Sequence, residues 1–258
     1  MTAKGAMMVH HTGARAGTGT AAWADAATTL PLPAVHLRRP LLADEFFLLA
    51  QETATGRLRL PDRAVGFGLA AALLVDLVDA GALRVRDGRL WLAARHVPVD
   101  ALGGWVLRWM AAEPGYRRVG TWLALLAPGA HQQVARRLVA AGVVRPRTVR
   151  RLLTTAVRQV PVDANRAAWA WARLTVRLQR GEPLPDLEAR LAGLCLVTGL
   201  DDALLAGLPA AARRHLHRET AGRLPIEVGE LFTIARNRLD GASHRRRGPG
   251  RRWVPGRR

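Results

Sequence analysis

Three arginines in one short stretch are the first residues of this sequence that are suited to binding a ligand. Arg57, Arg59 and Arg63 flank Leu58 and Leu60 in the segment ETATGRLRLPDR. Guanidinium groups form strong hydrogen bonds to phosphate oxygens, so a basic loop that also exposes two leucines could rest on an anionic bilayer. The same pattern fits a loop whose leucines close one end of a core while its arginines are simply solvated. The sequence leaves both interpretations open.

Side chains that could carry out catalysis are scarce. Ser243 is the only serine and lies near the carboxyl end of the chain, which leaves little scope for a serine nucleophile. Cys195 has a leucine on each side, whereas a nucleophilic cysteine needs an exposed, electropositive setting. His215 and His217 are two residues apart, so on a helix they would point away from each other and could not share a metal ion. We therefore expect no enzymatic activity, no cofactor and no metal site.

The composition points to an anionic partner. The chain has 258 residues, a net charge of +19 and an apolar content of 49%, which is enough for the core of one domain. A surface this basic favours nucleic acid, acidic lipid headgroups or acidic proteins. Nearly all of the positive charge is arginine, with Lys4 the only lysine, so a GC-rich coding bias is a second explanation for part of the excess. The single cysteine permits no internal disulfide and fits a reducing compartment.

Three consecutive apolar segments predict the centre of the fold. Residues 41–51 have apolar side chains at helical spacing, which predicts a short amphipathic helix. Residues 64–80 are apolar nearly all round, so this helix is expected to lie inside the domain. The dipeptide Asp87-Gly88 then suits a type I′ turn, and residues 82–93 are predicted to form a β-hairpin.

The rest of the chain alternates between helical patterns and turn signals. Asp100 and Asp163 are predicted to cap helices. The pair Pro128-Gly129 is predicted to end one helix before another begins at His131. The predicted helices after the hairpin cover residues 100–112, 118–127, 131–141, 164–180, 187–198, 202–221 and 226–239.

The two ends of the chain differ from its centre. Residues 1–40 lack apolar periodicity, and residues 241–258 carry seven arginines and no acid. Neither segment can bury enough apolar surface to offset chain entropy, so both are predicted to be disordered around a domain at residues 41–240. The polybasic tail suits acidic lipid or nucleic-acid phosphates. Every apolar run is interrupted by charge before about 18 residues, so we expect a cytoplasmic protein that touches a membrane without spanning it.

The order of these segments resembles the GPP34 family of Golgi phosphoprotein 3 and its bacterial relatives. The resemblance rests on LADEFFLLA at residues 42–50, GLAAALLVDLVDAGAL at residues 68–83 and RGEPLPDLEARLAGLCLVTGL at residues 180–200. It implies a mainly α fold, a single helical domain with a buried central helix and two β-hairpins. The second hairpin would lie within residues 143–160 and would serve membrane contact or self-association into a homo-oligomer. The resemblance also implies a peripheral adaptor that binds phosphatidylinositol 4-phosphate and recruits client membrane proteins.

The headgroup pocket implied by the resemblance is not retained residue by residue. Ungapped pairing puts Pro61, Ala70, Pro128 and His131 at the positions where the family has one tryptophan and three arginines. A different lipid-phosphate site is predicted from basic residues at or near those positions. They are Arg57, Arg59, Arg63, His131, Arg136 and Arg137.

Nucleic-acid binding is the alternative function. A helix followed by a hairpin occurs twice, as in winged-helix modules, and the basic tail suits phosphates. Gln132, Gln133, Arg136 and Arg137 are expected to point outward and would offer groups that read base edges. The sequence thus leaves two functions open, a peripheral membrane protein that binds anionic phospholipid headgroups and a winged-helix-like nucleic-acid-binding protein.

Overall fold

The computed structural model describes residues 40–93, 97–150 and 155–246 of the chain. These residues form nine helices and two antiparallel hairpins, which confirms the predicted mainly α architecture. In chain order the elements are α1 (Leu42–Leu49), α2 (Asp62–Asp79), β1 (Leu83–Arg86), β2 (Arg89–Leu92), α3 (Ala101–Ala112), α4 (Val119–Ala140), β3 (Val144–Arg150), β4 (Thr155–Pro161), α5 (Ala164–Arg180), α6 (Asp186–Thr198), α7 (Asp201–Leu204), α8 (Ala210–Arg223) and α9 (Ile226–Arg246).

Helix α2 is the centre of the fold, as the sequence predicted. Leu69 and Leu74 are fully buried, and α2 packs against α1, α4, α6 and α9. A Cβ atom added at Gly66 would stand 2.4 Å from the carbonyl oxygen of Ala127 in α4. The backbones of α2 and α4 therefore touch, and this contact fixes the two helices that carry the groove described below.

The first hairpin turns where the sequence predicted. Asp87 and Gly88 have φ angles of 52° and 68°, the two positive values that a type I′ turn requires. Val85 lies opposite Leu90 in the register, and both side chains are buried. The backbone N–H of Gly88 donates to the carboxylate of Glu230. One face of the hairpin is thus packed on the core, and its turn is held by α9.

Helix α4 corrects one prediction. The sequence predicted a break at Pro128-Gly129, but a single helix runs through Val119–Ala140 with the proline inside it. Pro128 has no N–H to donate to the preceding turn. Leu126 and Ala130 on either side of it are fully buried, so ending the helix here would remove this face from the core. Tertiary packing outweighs the lost hydrogen bond.

The second hairpin confirms the topology implied by the family resemblance. Strands β3 and β4 pair along their full length, and the connecting residues 151–154 lie outside the described part of the chain. Gly56, in the loop before α2, has a φ of +62°, and a Cβ atom there would stand 2.4 Å from the carbonyl oxygen of Gln159. Only glycine fits both conditions, so this loop and β4 are in direct contact. Self-association through the hairpin stays a prediction.

The ends of the domain are only partly within the described residues. Of the predicted disordered segment 1–40, only Pro40 is described. At the other end α9 continues to Arg246, past residue 241 where the tail was predicted to begin, and the domain boundaries stay a prediction. Extending an existing helix costs far less than starting one. Residues 247–258 lie outside the description. Across the described ranges, no helix combines the length and the hydrophobicity needed to span a bilayer.

Candidate anion-binding groove

A groove opens where the loop before α2, the start of α2, the second half of α4 and strand β4 meet. It consists of two adjoining cavities of about 620 and 860 Å³, which share Leu58, Asp62, His131 and Gln132 as lining residues. Both volumes lie within the range of roughly 300 to 1,000 Å³ that is typical of small-molecule sites. The groove is large enough for a phospholipid headgroup.

Four arginines from four segments line this groove. Arg57 comes from the loop, Arg63 from the first turn of α2, Arg136 from α4 and Arg158 from β4. Within the described part of the chain, no carboxylate lies within ion-pair distance of any of the four. Guanidinium groups that share one groove and have no ion-paired acid can donate charge-assisted hydrogen bonds to phosphate oxygens. Three of the four were predicted from the sequence.

Arg158 is the groove arginine that sequence reasoning missed. Its Cβ atom lies 3.4 Å from the position that a Cβ atom at Gly56 would occupy, so the contact between the loop and β4 places it next to Arg57. The mixture of basic and β-branched residues in this stretch was the only local signal. Nothing in that pattern indicates that the strand packs against the loop.

His131 lines both cavities and supplies hydrogen-bonding groups rather than charge. Its ring stacks on Phe47, with centroids 4.9 Å apart and planes inclined by 23°. Burial lowers the pKa of His131, and the nearby carboxylate of Asp62 opposes this effect. The imidazole is therefore neutral at pH 7. Among the described residues, Asp62 is the one acid that lines the groove, so the lining has a positive net charge.

Two amide side chains at the larger cavity each have one buried atom without a hydrogen-bond partner among the described residues. Gln51 is 2% exposed, and no acceptor among the described residues reaches its Nε2. The Oε1 atom of Gln159 likewise has no donor. Both residues line the cavity. Leaving a buried polar group unpaired costs about 1–3 kcal/mol, so a polar ligand that reached these amides would gain hydrogen bonds that the free protein lacks.

Two of the predicted site residues lie outside the groove, and the first is Arg59. Its guanidinium carbon lies 4.4 Å from the centroid of the Trp171 ring. Its Nε donates to the backbone carbonyl of Gln51 over 3.2 Å. Arg59 therefore fastens the loop to helix α5, and its charge faces an aromatic ring instead of the groove.

Arg137 is the second predicted site residue that lies outside the groove, and the prediction that it points outward is wrong. One terminal nitrogen of its guanidinium lies 2.6 Å from Asp44 Oδ1, and the other lies 2.9 Å from Asp100 Oδ2. Asp100 also caps α3, as predicted, by accepting a hydrogen bond from the backbone N–H of Gly103. Arg137 is therefore a largely buried link that joins α4 to α1 and to the start of α3. It is not available to a phosphate.

A third carboxylate lies near this link. Asp76, in the last turn of α2, accepts hydrogen bonds from the backbone N–H groups of Leu42 and Ala43 over 2.8 and 3.1 Å. It therefore caps the first turn of α1 from another helix. Burial raises the pKa of Asp76 to about 7, although these hydrogen bonds and Arg137 oppose the effect.

The base-reading face predicted for α4 does not form. Gln132 and Arg136 reach the groove, but Gln133 is 6% exposed and Arg137 is held by two carboxylates. Two of the four side chains therefore turn inward. Nothing in this helix supports the winged-helix alternative.

Two residues that were considered for catalysis or metal binding, Cys195 and His215, are buried in the fold. Cys195 is completely buried, and burial raises the pKa of its thiol, so it is a core residue and not a thiolate nucleophile. The Nε2 atom of His215 lies 2.8 Å from the backbone carbonyl oxygen of Glu182. In residues 40–93, 97–150 and 155–246, no three His, Cys, Asp or Glu side chains are grouped so that they could hold a metal ion.

The fold and the groove define a class of protein, a mainly helical basic domain whose candidate ligand site lies between its central helix and the helix beside it. A family model described as Golgi phosphoprotein 3 (GPP34) matches residues 42–232, which span α1 to the first half of α9. The chain belongs to the GPP34 family. A search of curated proteins finds no match.

The groove lies at the place where ungapped pairing puts part of the family's headgroup pocket. Pro128 and His131 line it, and Pro61 immediately precedes α2 at its edge. Ala70 is fully buried within α2. Two of the four paired positions therefore line the groove, whereas the arginines that line it come from other positions of the sequence.

Proposed function

We propose that this protein is a peripheral membrane protein that binds anionic phospholipid headgroups in the groove between α2, α4 and β4. The observation that carries the proposal is the convergence of Arg57, Arg63, Arg136 and Arg158 on one groove without an ion-paired acid among the described residues. Guanidinium groups donate charge-assisted hydrogen bonds to phosphate oxygens, and several of them can surround one phosphate. Membership of the GPP34 family supports the same class of ligand.

The edge of the groove supports contact with a bilayer surface. Val157, which lines the larger cavity beside Arg158, is 63% exposed, and Val139 of α4 is also exposed. Apolar side chains among arginines suit the boundary between headgroups and acyl chains, where charged heads stay with the phosphates while apolar groups enter the less polar layer. The two unpaired amides, Gln51 and Gln159, support a headgroup that carries hydroxyl groups as well as phosphate.

On this proposal the protein works at the cytoplasmic face of a membrane as an adaptor. The groove would hold it on the lipid, and another surface would hold a client protein. Membership of the GPP34 family supports this role.

Flotation with liposomes tests the proposal. Reversing two groove charges with Arg57→Glu and Arg136→Glu is expected to weaken binding to phosphatidylglycerol liposomes by about tenfold or more, since each lost charge contact near an anionic surface is worth about 1 kcal/mol. Arg108→Glu with Arg214→Glu is the matched control, because both arginines are exposed and neither lines the groove. Binding by every variant is expected to weaken with salt, since the screening length is roughly 8 Å at physiological ionic strength.

The proposal requires that the groove accounts for liposome binding and that the net charge of the protein is not sufficient for it. Equal losses for the groove pair and for the control pair would mean that the whole basic surface binds the liposomes. Absence of liposome binding at low salt would remove the lipid function altogether. Either result would contradict the proposal.

A further inference from the structure

A second concave site lies beside the first hairpin, and we call it the hairpin pocket. Its volume is about 230 Å³, below the roughly 300 Å³ at which small-molecule sites begin, so it suits one side chain better than a whole ligand. Its floor is made of buried core residues and its rim of exposed apolar ones. The floor includes Leu83, Met110 and Trp122, and the rim includes Trp91, Leu92 and Tyr116.

The hairpin pocket and the groove lie at opposite ends of α2. The groove is lined by Gly66 and Phe67 near the start of α2, whereas the hairpin pocket is lined by Leu83, which lies beyond the end of α2. At 1.5 Å per residue, the length of α2 from Gly66 to Asp79 is about 20 Å. The two sites are therefore separate and have no lining residue in common.

Arginines are concentrated beside this pocket. Arg86 and Arg89 are both exposed and lie directly opposite each other in the hairpin, an arrangement of like charges that destabilises a strand pair. Arg118 forms a backbone bridge with Arg89, and Arg117 lines the pocket itself. Arg86 faces the exposed Asp87 at 3.6 Å. No carboxylate within the described ranges pairs with the other three.

We propose that the hairpin pocket binds an acidic peptide segment of a partner protein. One apolar side chain of the peptide enters the pocket, and neighbouring carboxylates pair with Arg89, Arg117 and Arg118. The guanidinium carbon of Arg117 lies 4.7 Å from the centroid of the Trp91 ring, so a cation and an aromatic ring stand together at the entrance. An acidic partner also relieves the repulsion between the facing arginines of the hairpin.

A bilayer is the competing occupant, and the position of the pocket argues against it. A membrane that contacts the groove lies at the other end of α2, about 20 Å along that helix from the hairpin pocket. This step rests on the proposed function, whereas the size of the pocket and the arginines beside it do not. The arrangement gives the adaptor one end for the membrane and the other for its client.

Fluorescence anisotropy with a labelled peptide tests the inference on the full chain. The probe is fluorescein-labelled Glu-Asp-Glu-Phe-Asp-Glu at low salt. Ala111→Phe puts a ring into the pocket and is expected to weaken binding by about tenfold or more. Ala112→Phe is the matched control, since it adds the same ring at the next exposed position, which does not line the pocket. This control is expected to bind as the unmodified protein does.

A second variant and a second peptide guard against a folding defect. Arg89→Glu with Arg118→Glu changes only exposed side chains and is expected to weaken binding by a similar factor, with an unchanged circular dichroism spectrum. A probe with serine in place of phenylalanine is expected to bind more weakly to the unmodified protein. The groove variant Arg57→Glu with Arg136→Glu is expected to bind the peptide normally, which separates this inference from the lipid proposal.

Several results would overturn the inference. Equal binding of the peptide by Ala111→Phe and Ala112→Phe would show that the pocket is not used, and so would failure of the unmodified protein to bind the probe at low salt. If Ala111→Phe impaired phosphatidylglycerol flotation or binding of a DNA duplex while peptide binding stayed intact, the pocket would belong to lipid or nucleic acid.

Discussion

Replacing Arg137 by methionine tests the ion-paired link between α1, α3 and α4. Methionine keeps an unbranched apolar side chain but removes the charge and all hydrogen-bond donors. Asp44 and Asp100 would then remain without the cation that both now contact. Their side chains are 26% and 17% exposed, so water can replace the lost partner only in part.

The expected loss follows from the burial of these carboxylates. Breaking a buried ion pair by removing one partner costs about 3–5 kcal/mol, and the partial exposure of both acids puts the expected value near 3 kcal/mol at pH 8. Burial already raises the pKa of Asp44 even though Arg137 opposes it. Without Arg137 the folded-state pKa rises further above the unfolded value. As the pH rises from the unfolded-state pKa of Asp44 to its folded-state pKa, the free energy of unfolding of the variant falls. The stability difference between the variant and the unmodified protein is therefore expected to be smaller at pH 5 than at pH 8.

Urea unfolding followed by circular dichroism at pH 8 and pH 5 measures this loss. Arg136→Met is the matched control, because its neighbouring guanidinium has no ion pair among the described residues, and its effect is expected to stay within about 0.5 kcal/mol. Adding Asp44→Asn to Arg137→Met is expected to recover part of the stability, since it removes one stranded charge. A loss below about 1 kcal/mol at pH 8, or a loss that does not shrink at pH 5, would refute the reasoning.

Two further predictions concern α2. Leu74→Ala is expected to cost about 2–5 kcal/mol, since Leu74 is fully buried and a large-to-small core change leaves a cavity; a loss below about 0.5 kcal/mol in urea unfolding would contradict the central position of α2. Burial raises the pKa of Asp76 to about 7, so the folded state keeps a proton that the unfolded chain releases near pH 4, and stability falls between these values as pH rises. Asp76→Asn is expected to remove this fall, and an unchanged pH profile would show that the carboxyl titrates normally.

Local rules made much of the fold predictable. The turn at Asp87-Gly88 requires two positive φ angles, and the cap at Asp163 requires only a side-chain oxygen next to the first backbone N–H groups of α5. Both the turn and the cap depend only on residues that are adjacent in the chain, so the local sequence is enough to predict them. The buried character of α2 was visible for a similar reason, because a helix without a polar face has to be enclosed on all sides.

Features that depend on distant segments could not be predicted in this way. Arg136 and Arg137 are neighbours with the same local pattern, but one lines the groove and the other pairs with Asp44 and Asp100. The difference is set by where α1 and α3 pack, which no spacing in α4 reveals. Continuation of the helix through Pro128 has the same origin, because the burial that favours it comes from other elements.

The positions of the arginines also bear on the origin of the large positive charge. A coding bias acts without regard to position in the fold, and it would account for isolated exposed arginines such as Arg108 and Arg214. It does not account for four unpaired arginines from separate segments that meet in one groove. Nor does it account for an exposed pair of arginines directly opposite each other beside the hairpin pocket. Bringing like charges together costs free energy in the unbound protein. Their concentration at the groove and beside the hairpin pocket is therefore not explained by composition alone, and both proposals rest on this concentration.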